Sequence, residues 1–164
     1  MIPDASIETM AKLPPAFKKG GVVTAANASG INDGAAAAIV MSRAKAKELG
    51  LKPLMKLVNI CGEGVEPPVM GLGPAVAIPK CLKQAGIRFE DVDYWEINEA
   101  FAAQFLGVGR MLKEESGMEL DMNKCNLNGS GIALGHPVGC TGLRIIVSMY
   151  YELEKQGKTL GGAS

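Results

Sequence analysis

Strand-like and helical patterns alternate along the chain, and this alternation constrains the fold more strongly than any other feature of the sequence. Residues 92–97 alternate apolar and polar side chains, as a half-buried strand does. A long helix is predicted directly afterwards, over about residues 100–115, and another over residues 142–155. Chains in which strands alternate with helices typically form α/β layered domains. At 164 residues, this chain is long enough to bury a hydrophobic core.

Shorter signals predict the other elements. Serine caps and apolar spacing predict helices over residues 6–13, 43–49 and 75–84. Runs of β-like residues predict strands over residues 22–24, 56–61, 124–127 and 158–160. Residues 35–41 are wholly apolar and fit either a helix or the end of a buried strand. In the last helix, the predicted buried stripe comprises Leu143, Ile145, Ile146, Val147, Met149, Tyr150 and Leu153.

Charge balance and cysteine spacing narrow the classes of function. Lys plus Arg and Asp plus Glu each number 17, so no nucleic-acid footprint and no polybasic membrane patch is indicated. We expect no signal peptide and no membrane span. The four cysteines form no CxxC pair and one histidine is present, so neither a metal site nor a disulfide framework is predicted. These features favour a cytoplasmic protein, and the matrix of an organelle fits them as well.

The first candidate site follows the strand at residues 92–97. Asn98 and Glu99 stand where this strand leads into a helix, and ligands of open α/β sheets collect at the carboxyl ends of strands. Two interpretations remain open for them. Asn98 binds a ligand, or it caps the helix while Glu99 complements the helix dipole.

The second candidate site is a glycine-rich run over residues 128–142, which contains His136, the one histidine of the chain. Histidine suits general base chemistry near neutral pH, whereas a structural histidine bonded to backbone fits the same pattern. A third segment, residues 24–34, is polar and built of small side chains. It could let a long thin ligand lie against the backbone, or it is a loop with an Asx turn over residues 32–34.

Three ordered segments resemble hallmarks of the thiolase family. Residues 26–35 read ANASGINDGA, residues 98–102 read NEAFA, and residues 133–139 read ALGHPVG. Residues 68–71, which read PVMG, resemble a further turn of that family. The resemblance covers essentially the whole chain, and the order and spacing of the segments fit.

For the fold, the resemblance implies a thiolase-like α/β architecture, with a mixed five-stranded sheet and helices on both of its faces. Residues 1–45 are expected to be an arm left over from the preceding loop and N-terminal half. Residues 46–164 are expected to form a thiolase C-terminal domain without its final strand, so that the chain is truncated at both ends.

For the site, the resemblance matches His136 to the histidine that activates the nucleophilic cysteine of thiolases and helps to bind the thioester oxygen. It matches Asn98 to the asparagine whose bound water completes the oxyanion hole. The residues implied to contact coenzyme A are Ser29, Ala25, Ala26, Ala100, Phe101 and Met70. Coenzyme A thioesters are the substrates in this family, so no cofactor and no metal is implied.

For the activity, the resemblance implies an acetyl-CoA C-acetyltransferase, which condenses two acetyl-CoA into acetoacetyl-CoA and CoA or catalyses the reverse thiolysis. Two alternatives remain open: a broad-chain 3-ketoacyl-CoA thiolase, and a non-catalytic module that binds acyl-CoA or packs on a partner. Expected partners are acyl-CoA, CoA, the missing N-terminal half and, for the full-length enzyme, further copies of itself. Cys140 matches neither catalytic cysteine of the family, so the isolated chain is expected to be inactive, with apolar surface exposed.

Overall fold

The computed structural model describes residues 5–164, so the first four residues of the predicted arm lie outside the described part. The α-helices are α1 (Ile7–Met10), α2 (Arg43–Glu48), α3 (Gly73–Ala85), α4 (Ala102–Ser116), α5 (Gly131–Leu134) and α6 (Thr141–Gln156). The strands are β1 (Tyr94–Glu96) and β2 (Gly161–Ala163), and 3-10 turns lie at Pro67–Leu72, Phe89–Asp91 and Met122–Lys124. Four predicted helices, now α2, α3, α4 and α6, and the strand predicted over residues 92–97 are confirmed.

Serine side chains start the first two helices, as the sequence predicts. Ser42 Oγ accepts a hydrogen bond from the backbone N–H of Lys45 at 3.2 Å, which satisfies one of the unpaired groups of the first turn of α2. Ser6 forms a capping box with Thr9 at the start of α1. Helix α1 is shorter than predicted, because prolines at positions 14 and 15 cannot donate to the carbonyl groups four residues earlier.

The two strands pair in parallel, and helices cover both faces of the pair. The register places Trp95 opposite Gly162. Tyr94 packs against α6, whereas Trp95 and Ile97 join a cluster with α3 and α4. Successive side chains of a strand point to opposite faces, so the sheet separates the two helix layers. The larger cluster is the main core, with Val108 and Leu112 of α4 fully buried in it.

Helix α6 buries a narrower face than the sequence predicts. Ile145, Met149 and Leu153 are buried, and their spacing of four residues places them on one side of the helix. The other members of the predicted stripe, Leu143, Ile146, Val147 and Tyr150, are only half-buried. The buried side lies against β2, where a Cβ added to Gly161 would come 2.5 Å from Met149 Sδ. Contact with this strand therefore selects the face.

Several strand predictions are wrong. Residues 22–24 and 56–61 form no strand, and residues 35–41 are neither helix nor strand. The segment over residues 124–127 contributes one parallel bridge, between Cys125 and Trp95, and the last strand starts at Gly161 and not at residue 158. The described residues thus form a sheet of two strands, and the five-stranded mixed sheet is not confirmed. A strand needs a neighbour for its backbone hydrogen bonds, and the pattern of one segment does not reveal whether a neighbour exists.

None of the helices between residues 5 and 164 combines the length and the apolar content needed to cross a membrane.

Candidate functional site

The histidine and the asparagine singled out in the sequence lie side by side. Asn98 Nδ2 is 3.4 Å from His136 Nε2, although 38 positions separate the two residues along the chain. On the other side of the ring, His136 Nδ1 lies 2.7 Å from Thr141 Oγ1. Both ring nitrogens therefore face polar side chains, and the imidazole is half-buried. An imidazole held in this way has the geometry of a general acid or base.

Asn98 lies just beyond β1, in a loop that two buried polar side chains hold in place. Asn126 Oδ1 accepts from the N–H of Ile97 at 2.9 Å, and Asn126 Nδ2 donates to the carbonyl of Ile97 at 2.7 Å. The same amide nitrogen donates to Glu99 Oε1 at 2.7 Å. Ser130 Oγ, which is fully buried, accepts from the N–H of Glu99 at 3.2 Å. The residues on both sides of Asn98 are thus fixed by hydrogen bonds.

Glycines allow the segment that carries His136 to approach this loop closely. Gly131 starts α5 and packs directly on the loop, because a Cβ added there would come 2.6 Å from the carbonyl oxygen of Glu99. Gly135 has φ 92° and ψ 160°, a conformation essentially restricted to glycine. The N–H of His136 then donates to the carbonyl of Gly30 at 2.9 Å. The glycine-rich run therefore fixes where the ring stands.

Three of the residues predicted to contact coenzyme A meet in one place. The N–H of Ser29 donates to the carbonyl of Ala100 at 2.9 Å, where the two segments run antiparallel. Phe101 forms an isolated antiparallel bridge with Ala28. Its ring packs edge-to-face on Phe17, with the ring centroids 5.8 Å apart. This pairing joins the segment over residues 24–34 to the Asn98 loop.

The other residues predicted to contact coenzyme A are Ala25, Ala26 and Met70. Both alanines lie in the turn that precedes the antiparallel pairing. The methionine belongs to the 3-10 turn before α3, and 77% of its surface is exposed. The next residue, Gly71, lies against Gln104, whose Oε1 accepts from the N–H of Ala100 at 3.2 Å. Gln104 therefore links the turn that carries the methionine to the other predicted contacts.

The structure decides between the local alternatives that the sequence leaves open. The N-cap residue of α4 is Phe101, so the interpretation of Asn98 as the cap of that helix is wrong. Glu99 precedes the helix and accepts a hydrogen bond from Asn126, so it is not a residue of the first helical turn. Among residues 5–164, the ring nitrogens of His136 have two side chains and no backbone group as hydrogen-bond partners. Its catalytic role, like that of Asn98, stays a prediction.

Four residues that contact the site were not singled out from the sequence: Thr141, Asn126, Ser130 and Gln104. Thr141 follows His136 by five positions in the same glycine-rich run and begins α6, so its nearness along the chain is the one local signal for this contact. Asn126 and Ser130 contact residues 27 to 31 positions away, in a different element. Only the folding of the chain brings those side chains to the loop.

Cys125 and Cys140, the two cysteines near the site, differ in how deeply they are buried. Cys125 is buried beside β1, and burial raises the pKa of its thiol to about 12. It therefore stays a neutral thiol at neutral pH, which makes it a poor nucleophile. Cys140 is half-buried and occupies the N-cap position of α6. Within residues 5–164, no group of three His, Cys, Asp or Glu side chains is placed to hold a metal ion.

A second buried polar cluster lies on the α6 side of β1. Glu96 is fully buried, and Tyr94 donates a hydrogen bond to its Oε1 at 2.7 Å. Burial raises the pKa of the Glu96 carboxyl, and the Tyr94 hydroxyl and the nearby charge of Arg144 oppose that rise. Burial and the Glu96 carboxyl together raise the pKa of Tyr94. This cluster supports the strand from which the Asn98 loop emerges.

Comparison with known proteins assigns the chain to a family. The profile described as "Thiolase, C-terminal domain" matches residues 51–164, and that described as "Thiolase, N-terminal domain" matches residues 1–44. The chain belongs to the thiolase family. An acetyl-CoA acetyltransferase of Chromobacterium violaceum is 51% identical over 161 residues, which are 98% of this chain and 40% of the relative.

Solved structures agree with this assignment. The structure of an acetyl-CoA acetyltransferase from Syntrophomonas wolfei matches with a TM-score of 0.93 and 73% identity, and covers 99% of this chain and 41% of that one. The structure of human mitochondrial 3-ketoacyl-CoA thiolase matches with a TM-score of 0.86 and 40% identity, and covers 98% of this chain and 40% of that one. The thiolase fold is therefore shown, and the chain spans about 40% of the length of its relatives.

Proposed function

We propose that this chain carries the histidine and asparagine of an acetyl-CoA acetyltransferase, which condenses two acetyl-CoA into acetoacetyl-CoA and CoA or catalyses the reverse thiolysis. The observation that carries the proposal is the contact of 3.4 Å between His136 Nε2 and Asn98 Nδ2. Sequence identity supports the acetyl substrate, because it is 51% and 73% to the two acetyl-CoA acetyltransferases and 40% to the 3-ketoacyl-CoA thiolase.

In this proposal, His136 acts as the base that activates a cysteine thiol and then helps to bind the thioester oxygen as it becomes negative. Asn98, through a bound water, supplies the second donor to that oxygen. A preorganised donor of this kind contributes a factor of about 10² to 10³ in rate. We place the attacking cysteine in the part of the relatives that has no counterpart in these 164 residues. The chain alone is then inactive.

The proposed substrate path runs along the antiparallel pairing next to the catalytic pair. Ser29 contacts coenzyme A, and Ala100 and Phe101 line the channel for its pantetheine arm, together with Ala25, Ala26 and Met70. The small side chains of Ala25, Ala26, Ser29 and Ala100 support this path, because they let a long thin ligand lie against the backbone. We also propose that the active enzyme is a cytoplasmic homo-oligomer, that it needs no cofactor beyond its thioester substrates, and that residues 46–164 form its C-terminal domain.

The test joins this chain to the part of the Syntrophomonas wolfei enzyme that it does not match, and measures thiolysis of acetoacetyl-CoA. We expect activity in the joined protein and none in the 164-residue chain. His136→Ala should lower kcat by a factor of about 10² to 10⁴, and Asn98→Ala by about 10² to 10³. Lys83→Ala, at an exposed position of α3, is the matched control and should match the unsubstituted joined protein.

Three results would overturn parts of the proposal. Full activity in the joined His136→Ala variant would show that His136 is not the catalytic base. Turnover by the 164-residue chain alone would mean that one of its own cysteines is the nucleophile. Faster thiolysis of a long 3-ketoacyl-CoA than of acetoacetyl-CoA would replace the acetyl-specific assignment by a broad-chain thiolase.

A further inference from the structure

We propose that Thr141 is a positioning residue that holds His136 in one tautomer, with the proton on Nδ1 and the basic lone pair on Nε2. The use of that lone pair in catalysis rests on the proposed function, whereas the tautomer itself does not. A base must present its lone pair toward the proton that it removes, so the tautomer decides which ring nitrogen can act.

The assignment follows from counting the protons around Thr141. Its hydroxyl has one proton, and Thr141 Oγ1 lies 3.0 Å from the carbonyl oxygen of Pro137, which can only accept. With that proton committed, Oγ1 can only accept from the ring, and His136 Nδ1 lies 2.7 Å away. Nδ1 must then carry the ring proton, and the neutral ring has its lone pair on Nε2.

The opposite side of the ring agrees with this count. Nε2 faces the amide of Asn98, whose Nδ2 lies 3.4 Å away and can only donate. A lone pair on Nε2 can accept a hydrogen bond from that donor. Asn98 Oδ1 is buried, with no hydrogen-bond partner in the described part of the chain. A proton on Nε2 would instead require the Asn98 amide to turn over.

The position of Thr141 makes the contact rigid. It is the first residue of α6, and its exposed fraction is 4%. Its backbone N–H also donates to the carbonyl of Pro137, at 2.9 Å, so the same carbonyl holds the residue at two points. A β-branched side chain has few χ1 choices, which fixes the direction of the hydroxyl. These restraints therefore hold the hydroxyl of Thr141 in a fixed position beside the ring of His136.

Nitrogen-15 NMR of the 164-residue chain measures the tautomer directly. The chain has one histidine, so labelling histidine alone gives the two ring nitrogens of His136 without an assignment problem. The spectrum is recorded at a pH above which the ring signals no longer change. We expect the protonated nitrogen to be Nδ1 and the pyridine-type nitrogen to be Nε2. The opposite pattern in the unsubstituted chain would overturn the inference.

Two substitutions separate the hydroxyl from the space that it fills. Thr141→Val keeps the shape and removes the acceptor, so we expect the ratio of the two tautomers to move toward Nε2–H by about fivefold. Thr141→Ser keeps the acceptor and should restore the ratio of the unsubstituted chain. An unchanged ratio in the folded valine variant, or the same shift in both variants, would show that the threonine acts only through packing.

The outcome is independent of the proposed reaction. If the joined enzyme is inactive while His136 carries its proton on Nδ1, the proposed function fails and the role of Thr141 stands. If the joined enzyme is active while the proton is on Nε2, the role of Thr141 fails and the proposed function stands.

Discussion

Two regions of the chain that are both rich in apolar residues differ in whether the structure buries them. The folded region, residues 67–164, contains the core, and its Ile97, Val108 and Leu112 are fully buried. The open segments, residues 31–41 and 52–65, leave large apolar side chains in contact with solvent. Ile39 is 89% exposed and Ile60 is 78% exposed. Apolar composition therefore does not separate the two regions.

The difference lies in where the backbone finds partners. In the folded region, β1 pairs with β2, and α3, α4 and α6 satisfy their own backbone groups. In the described part of the chain, neither open segment makes a backbone-to-backbone hydrogen bond. A segment with strand-like side chains but no neighbouring strand cannot form a ladder, and its side chains have no layer to pack on. The site lies in the folded region, and residues 24–30 also contribute to it.

The largest contrast between the regions is expected from shortening a leucine. Leu112→Ala removes a fully buried side chain from the core of α4 and should lower the free energy of unfolding by about 2–5 kcal/mol. Leu57→Ala, at a position that is 68% exposed in an open segment, should change it by less than about 0.5 kcal/mol. Urea denaturation of both variants measures the difference. Equal losses would mean that the open segment is packed in solution.

Glycine-to-alanine changes should give the next largest contrast. At Gly131 the added Cβ would come 2.6 Å from the carbonyl oxygen of Glu99, a backbone atom that cannot move aside easily. We expect Gly131→Ala to cost about 1–3 kcal/mol. At Gly62, in an open segment, nothing lies within 4 Å of the added atom, so Gly62→Ala should cost nothing. Thermal unfolding of the two variants measures the difference. Equal midpoints of unfolding would contradict the close packing of α5 on the Asn98 loop.

A smaller and pH-dependent effect is expected where the chain enters β2. Asp93 Oδ2 accepts from the N–H groups of Thr159 and Leu160 at 3.1 and 3.0 Å, and these bonds hold the pKa of the carboxyl below its ordinary value of 3.8. Because the folded pKa is lowered, this contribution is present above the ordinary pKa and is lost as the pH falls through the folded pKa.

Asp93→Ala should therefore lower the free energy of unfolding at pH 7 by about 1–2 kcal/mol. Asp93→Asn keeps an acceptor oxygen, so it should cost less and should remove the part of the acid-induced loss of stability that comes from Asp93. Urea denaturation from pH 7 down through the ordinary aspartate range checks both variants. An asparagine variant with the same acid dependence as the unsubstituted chain would contradict the assignment.

The smallest effect on stability, with a large effect on association, is expected from charges in the open segments. Exposed apolar patches of this kind promote contacts between molecules. The double substitution Ile39→Lys with Ile60→Lys should reduce self-association in sedimentation experiments and leave the free energy of unfolding within about 0.5 kcal/mol. If the unsubstituted chain sediments as a monomer at high concentration, the open segments are not exposed in solution as described.

The sequence predicts the parts of the fold whose signals are local. Helices α3, α4 and α6 follow from apolar periodicity, and Ser42 marks the start of α2. The strand predicted over residues 56–61 fails because pairing depends on a neighbour, which a local pattern does not contain. The sequence predicts too wide a buried face for α6. Of the predicted stripe, the contact with β2 buries only Met149 and the residues one turn before and after it.

The candidate site shows the same division. Asn98 could be singled out because it follows a predicted strand, and His136 because it is the one histidine of a glycine-rich run, each within a family-like motif. The structure places them 3.4 Å apart. The residues that hold them could not be found in that way. Asn126 reaches the Asn98 loop only because Cys125 pairs with Trp95. Such contacts depend on how the elements pack, and no single segment records them.

Amide hydrogen exchange over the whole chain tests the central claim most directly, namely that the folded region carries the site while the described open segments make no backbone-to-backbone hydrogen bonds. We expect the slowest exchange in α4 and α6, and exchange close to the unprotected rate in residues 31–41 and 52–65. The amides of Ile97 and Asn98 should be protected, because they donate to Asn126 Oδ1 and to the carbonyl of Ser164. Protection of residues 52–65 equal to that of α4, or unprotected amides at Ile97 and Asn98, would contradict the account.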